Sequence, residues 1–491
     1  MWWILWVILT ILVCVEWLVK CKEFQIIPGP KGIYILHNAL DVIIEPAKLF
    51  SYLRTWANTY KSLFRLQLGP VKVILIHNPE DIEKVINGTK YTTKGFLYYF
   101  IQPWLKEGIL TSKGKKWHAR RKMITPTFHF NILNNFKRIM EHNVEKLTDH
   151  LGSEVNKPYT DVSEFLHDFT LHTICETAMS IKLDEKSSDF NEFKENIHKL
   201  IHYAVYRAQR VWMYPDFIFN LTNLGRKQRK ALDILESFRS QVVKKRRECK
   251  TEDVWINDDE QSSKRRLGLL DILLQAEKDG LIDNHGICEE VDTFLFGGYD
   301  TTAIALKFII LLLANHKDVQ DKIIEEFNTI VGSSKGEITM ADLAEMKYLD
   351  CCIKETMRLY PPIPAITRNI DEPLNLRGYE IPTGTEAVIL IYDLHRRADQ
   401  FVEPLAFKPE RFLAEPTWHT YSYIPFSAGA RNCIGRKFAM IEMKLVVLSL
   451  LRRFHLLPVT KTEDLVFATD YVLQTTQPIY VKFQDRYKEA H

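Results

Sequence analysis

Phe426-Ser427-Ala428-Gly429-Ala430-Arg431-Asn432-Cys433-Ile434-Gly435 is the stretch on which the reading of this chain turns. One cysteine, Cys433, is set among an aromatic residue, glycines and an arginine at fixed offsets. Just beyond it, the residues from Lys437 to Phe454 carry a helix-like pattern. A cysteine at a helix N-terminus is biased toward the thiolate, because unpaired backbone N–H groups there stabilise negative charge. The flanking glycines let backbone approach something flat and large. Arg431 supplies a cation suited to an anionic group such as a carboxylate. Taken alone, Cys433 also reads as one more buried cysteine, the commonest fate of that residue type.

The spacing Phe-x-x-Gly-x-Arg-x-Cys-x-Gly resembles the haem-ligand loop of the cytochromes P450. Phe426, Gly429, Arg431, Cys433 and Gly435 fill each of its positions. The resemblance implies that Cys433 is the proximal ligand of a haem iron. A thiolate in that place pushes electron density onto the iron and favours O–O cleavage.

Length and composition set the frame. The chain has 491 residues, 46% hydrophobic and 26% charged, which is ordinary globular composition with room for a large core. No Gly/Ser or Pro-rich linker divides it, so one large domain, residues 23–491, is expected after an N-terminal segment, residues 1–22. A net charge of only +3 gives no support to nucleic-acid binding. The eight cysteines form no Cys-x-x-Cys pair, and free thiols in a reducing compartment are the expected state.

Residues 2 to 19 are apolar except for Thr10 and Glu16, and Lys20 and Lys22 follow at once. As a helix this run covers most of a ~30 Å hydrocarbon core. A cleaved signal peptide carries its positive charge before the apolar run, whereas here it lies after. An uncleaved anchor is expected, with the remainder of the chain on the cytosolic side. Ile27-Pro28-Gly29-Pro30 then stops any helix. Residues 63–68 and 71–76, split by Gly69-Pro70, read as a β-hairpin, and most of the chain from there to about residue 360 has helical period. Residues 240–266 read as a charged surface connection.

Trp117 and Arg121 lie four apart and share one face of a helix. Their surroundings are basic: Lys113, Lys115, Lys116, Arg120 and Lys122 make a solvated face or a docking surface for an acidic electron donor. Further on, Gly297 and Gly298 interrupt an apolar helical run, each at about 1 kcal/mol against alanine, so they call for a reason. Ligand approach and helix packing are the two candidates. Asp300 and Thr301 follow them, an acid and a hydroxyl suited to relaying protons.

That run resembles the oxygen groove of the P450 family, with Asp300 and Thr301 as the catalytic pair. Glu-Val-Asp-Thr-Phe-x-Phe before it resembles the fatty-acid ω-hydroxylase clan, family 4, especially its insect members. Many of that clan carry a glutamate, esterified to a haem methyl, where this chain has Gly297. Haem b held noncovalently is therefore expected. Glu355-x-x-Arg358 and Pro409-Glu410-Arg411-Phe412 resemble the family's structural elements, which implies a buried network of Glu355, Arg358 and Arg411. By the same resemblance Trp117, Arg121, Arg368 and Arg431 meet the haem propionates. Phe294, Phe296, residues 363–366 and parts of 95–110 and 470–476 would line the substrate cavity.

The resemblance implies a mainly α fold with small β-sheets, the P450 fold, behind an N-terminal transmembrane helix in the endoplasmic reticulum. It further implies insertion of one atom of O2 into a C–H bond of a lipophilic substrate. Electrons would come from NADPH through a separate P450 reductase, with cytochrome b5 as a second donor, since the chain has no dinucleotide fingerprint. Two alternatives stay open: an isomerase or dehydratase on the same fold, and a haem-binding carrier without turnover.

Overall fold

A computed structural model describes residues 24–33, 36–183, 188–248, 268–332 and 338–486. The expected anchor, residues 1–22, lies outside the described residues. The elements that build the site are labelled in chain order. They are β1 (Leu63–Leu68), β2 (Val71–Ile76), α1 (Gly114–Ile124), α2 (Ser163–Thr177), α3 (Asn284–Asn315), α4 (Lys347–Leu359), β3 (Ala365–Asn369), β4 (Glu386–Leu390) and α5 (Arg436–Arg453). Helices dominate the rest of the chain.

The expected hairpin forms with Leu68 opposite Val71, and Gly69 turns the corner at φ +58°. That left-handed conformation is one that glycine adopts without a steric penalty. β4 adds parallel to β2, with Val73 opposite Glu386, and β3 closes the sheet antiparallel to β4. The sheet order is therefore β1-β2-β4-β3.

α3 is the spine. Asp283 caps it by accepting the Gly286 N–H at 2.7 Å, satisfying one of the donors that a helix start leaves unpaired. It is long and apolar enough to cross a membrane by length and composition, yet almost all of it is buried in the protein core. An all-round apolar helix of this kind belongs in the middle of a large domain. α2 and α5 pack directly against it.

One expectation fails. The connection read over 240–266 begins as helix, because the helix Asn223–Glu248 runs through its first part. Leu235, Phe238, Val242 and Val243 recur at helical spacing and bury, carrying the basic run with them. Arg246 is itself buried and donates to Asp271 at 2.6 Å. Residues 249–267 lie outside the described residues.

Candidate active site

The cysteine loop reaches its shape through backbone. Cys433 N–H donates to the Phe426 carbonyl at 2.9 Å, closing the loop on itself. Gly429 sits at φ +68°, and a Cβ there would overlap the Ile86 carbonyl oxygen, so only glycine fits. α5 then starts at Arg436, three residues beyond Cys433. The sulfur is enclosed by protein yet open to an internal cavity of about 490 Å³. Burial pushes the Cys433 thiol up, opposed by the Gly435 N–H and by the charges of Arg121 and Arg436. A metal ion at the sulfur would deprotonate it outright.

A charge network holds this loop in place. Arg358 donates to both Glu355 oxygens, at 2.7 and 2.8 Å, and Arg411 reaches Glu355 at 2.9 Å. Glu355 and Arg358 are both 0% exposed. The remaining Arg358 N–H groups take the carbonyls of His395, Pro404 and Ala406. Burial, then the charges of Arg358 and Arg396, push the His395 imidazole down to about 3. The neutral ring accepts the Ile424 N–H at 2.9 Å, two residues before Phe426. The order fixed by Arg358 is thus passed to the start of the cysteine loop.

Trp117, Arg121, Thr301, Phe426, Arg431 and Gly435 line the cavity with Cys433. Arg121 is anchored by Asn432, to its carbonyl at 3.0 Å and its side-chain oxygen at 2.7 Å. Arg431 lies 4.7 Å from the Trp117 ring centroid and donates to the carbonyls of Leu110 and Ser112. Arg368 is buried just behind this wall, 1% exposed, with Gly429 also off the cavity surface.

Lys94 is a cation that the sequence motifs do not single out. It pairs with Arg368 through an isolated β-bridge, lines the cavity and is half-buried. Burial, then the charges of Arg368 and Arg431, push its ammonium well down. Arg431 is pushed down to about 9 by burial and then by Arg368. Among the described residues no carboxylate pairs with Lys94, Arg368 or Arg431. Buried cations without counter-charge are costly, so this nest fits a bound dianion such as the two propionates of haem. No three His, Cys, Asp or Glu residues among those described cluster to hold an ion, and the single sulfur fits an iron already held by a macrocycle.

The two glycines of α3 have different reasons. A Cβ at Gly298 would lie 2.6 Å from the Ile174 side chain, so Gly298 lets α3 and α2 pack closely. A Cβ at Gly297 would meet nothing within 4 Å, and Gly297 lines the cavity. Here the wall is open where a carboxylate could otherwise project.

Asp300 and Thr301 part company. Successive helical residues point about 100° apart, and only Thr301 lines the cavity, its hydroxyl donating to the Gly297 carbonyl at 2.6 Å. Asp300, fully buried, turns to His167 of α2 at 3.1 Å. The other His167 nitrogen faces the Ser163 carbonyl at 2.7 Å. Both ring nitrogens thus face acceptors, and filling both bonds requires one proton more than a neutral imidazole and a carboxylate hold together. Burial pushes the Asp300 carboxyl up, but the His167 hydrogen bond, with the charges of His167, His198 and Lys307, outweighs it and leaves Asp300 below its ordinary value. Asp300 Oδ2 has no partner among the described residues.

The basic face is narrower than its sequence. Lys116 pairs with Glu107 and Glu289, and Arg120 is buried near Glu289 and Glu290. Lys113, Lys115 and Lys122 remain exposed.

The sequence matches the family described as Cytochrome P450 over residues 27–483. Among its relatives, Cytochrome P450 4V2 of Mus musculus is 35% identical, over 96% of this chain and 92% of that protein. Cytochrome P450 4c3 of Drosophila melanogaster is 35% identical, over 95% and 90%. Probable cytochrome P450 4ac3 of Drosophila melanogaster is 39% identical, over 92% and 89%.

Proposed function

The chain belongs to the cytochrome P450 family, and on that premise we propose that it is a membrane-anchored oxidase of lipids. Its substrate class is fatty acids or similar lipophiles, and its electrons come from NADPH through a separate reductase. The chain is a haem-thiolate monooxygenase that binds haem b noncovalently. Bound haem supplies the iron at which dioxygen is reduced and split. The observation that carries the lipid reading is the cavity itself, which is overwhelmingly apolar and holds Cys433 and Thr301 on one surface.

The residues divide the work. Cys433 would present its sulfur to the iron of bound haem, while Arg121, Arg368, Arg431 and Lys94 would neutralise its propionates. Thr301 can release the Gly297 carbonyl and turn its hydroxyl toward a reacting oxygen. Asp300, hydrogen-bonded to His167, stands next to Thr301 in α3 as the acid of a proton relay. Phe294, Phe296 and Ile363 exclude bulk water from the cavity.

Membrane attachment is supported by an exposed apolar surface as well as by residues 2–19. Trp212, Phe217 and Leu221 stand exposed, and Gln209 ties their segment to the Ile44 carbonyl, near exposed Leu40 and Tyr52. A lipid surface in contact there would place the endoplasmic reticulum beside the cavity's apolar side, with the exposed lysines free for an acidic reductase in the cytosol.

Two measurements test the reading. Reconstitution with reductase, NADPH and a panel of medium- and long-chain fatty acids should yield terminal or near-terminal hydroxy acids, and an intact haem spectrum without turnover would remove the fatty-acid class. Acid–organic extraction should leave the polypeptide free of haem, because Gly297 offers no carboxylate; haem retained on the chain would contradict that.

A further inference from the structure

One carboxylate in the cavity is unaccounted for. Asp470 lines it, between two fixed points: Thr469 N–H donates to the Pro46 carbonyl at 3.0 Å and Leu473 N–H to the Pro362 carbonyl at 2.8 Å. Tyr471 locks the segment further, its hydroxyl donating to the Leu97 carbonyl at 2.6 Å. One Asp470 oxygen accepts the Tyr471 N–H at 2.6 Å. No side-chain partner of Asp470 is found among the described residues. The neighbouring Thr469 hydroxyl is buried and has no partner among the described residues.

Several other polar groups of the cavity are partnered, although the hydroxyls of Thr367 and Ser427 have no partner among the described residues. Arg54 is paired with Asp393, Gln209 donates to the Ile44 carbonyl, and Thr293 donates to the Glu289 carbonyl. Lys94 donates to the Tyr98 hydroxyl at 3.4 Å. The charge of Asp300 repels Asp470. A rigidly held carboxylate whose donor is only its neighbour's backbone N–H among the described residues, in an apolar chamber, is a gap that a ligand can fill.

We propose that Asp470 is the polar anchor of the substrate subsite, taking a hydrogen-bond donor, a hydroxyl or an ammonium, borne by an otherwise apolar substrate. The proposal rests on the lipophile reading above and narrows it. A free carboxylate brought to the same place would oppose Asp470 in a medium of low dielectric constant. Fatty acids long enough to keep their carboxylate away from it remain acceptable, whereas short ones are not. Burial, less the Tyr471 N–H contribution, pushes the Asp470 carboxyl up to about 7. Its charge therefore appears as pH rises through neutrality. An ammonium gains from that rise, and a hydroxyl is held in either state.

The test is ligand binding to the full-length holoprotein, by calorimetry and by the haem absorption shift. The probes are dodecanol, dodecylamine, dodecanoate and dodecyl methyl ether, which share one apolar chain. Dodecanol and dodecylamine should bind about tenfold more tightly than the other two, the gain expected of a hydrogen bond to a charged group. Dodecylamine affinity should rise with pH through about 7 as the carboxyl ionises, and dodecanol affinity should not. Asp470→Leu should abolish both preferences, while Asp470→Asn should keep that for dodecanol and lose that for dodecylamine. An unchanged order in Asp470→Leu, as direct coordination of the amine to iron would give, overturns the proposal. So does tightest binding of dodecanoate to the wild type. Failure of all four to bind a protein with an intact haem–thiolate spectrum overturns the lipophile reading as well.

Discussion

Cys433→Ser yields a folded protein that has lost the spectrum of a thiolate-ligated haem and, with it, turnover. The fold survives because the loop is held by backbone contacts, Cys433 N–H to Phe426 O and the positive φ of Gly429, which serine leaves intact. A hydroxyl is a far weaker donor to iron than a thiolate. Loss of activity should exceed about a hundredfold, the upper end of the loss caused by removing a mere neighbour of a metal ligand. Cys288→Ser is the control: this half-buried cysteine does not line the cavity, and its variant should keep spectrum and rate. The check is the absorption of the reduced, carbon-monoxide-bound protein, together with product formed per haem. A serine variant with an unaltered spectrum would assign the ligand elsewhere.

Glu355→Ala should be the most damaging change outside the cavity. Glu355 accepts from Arg358, from Arg411 and from the Lys408 N–H at 2.9 Å. Removing it leaves the guanidinium of Arg358, 0% exposed, without its counter-charge. Breaking one side of a buried ion pair costs about 3–5 kcal/mol. That is a large share of the ~5–15 kcal/mol by which ordinary domains are stable. The damage should also reach the haem, because Arg358 orders the carbonyls of His395, Pro404 and Ala406 and so the approach to Phe426. The double variant Glu355→Met with Arg358→Met should lose less than the single one, since no charge is stranded. Denaturant midpoints and the rate of haem release measure both effects. A single variant within about 1 kcal/mol of wild type would show that the network carries little.

The legible parts of the site are those written in contiguous residues. The cysteine loop is local, and its glycine and arginine have backbone reasons that spacing alone displays. The hairpin at Gly69 and the Glu355–Arg358 pair are equally local. Lys94 is not legible in the same way, because it acquires its role only when β3 brings Arg368 beside it. His167 is hidden for the same reason: α2 must cross α3 before its imidazole can meet Asp300. Reading Asp300 and Thr301 as one pair overlooks the rotation between neighbouring helical residues. Gly297 and Gly298 look alike in sequence, but one opens the cavity and the other admits Ile174. The basic run before residue 249 reads as a loop because its charges mask the apolar residues between them.

Oxygen insertion is the claim on which the rest depends, and isotopically heavy dioxygen tests it most directly. The reconstituted protein is given reductase, NADPH and a fatty acid in ordinary water under heavy dioxygen, and the hydroxylated product is weighed by mass spectrometry. One heavy oxygen atom per product is the predicted result. Product without the label, or formed equally well when dioxygen is withheld, would contradict it and point to an isomerase or dehydratase on the same fold.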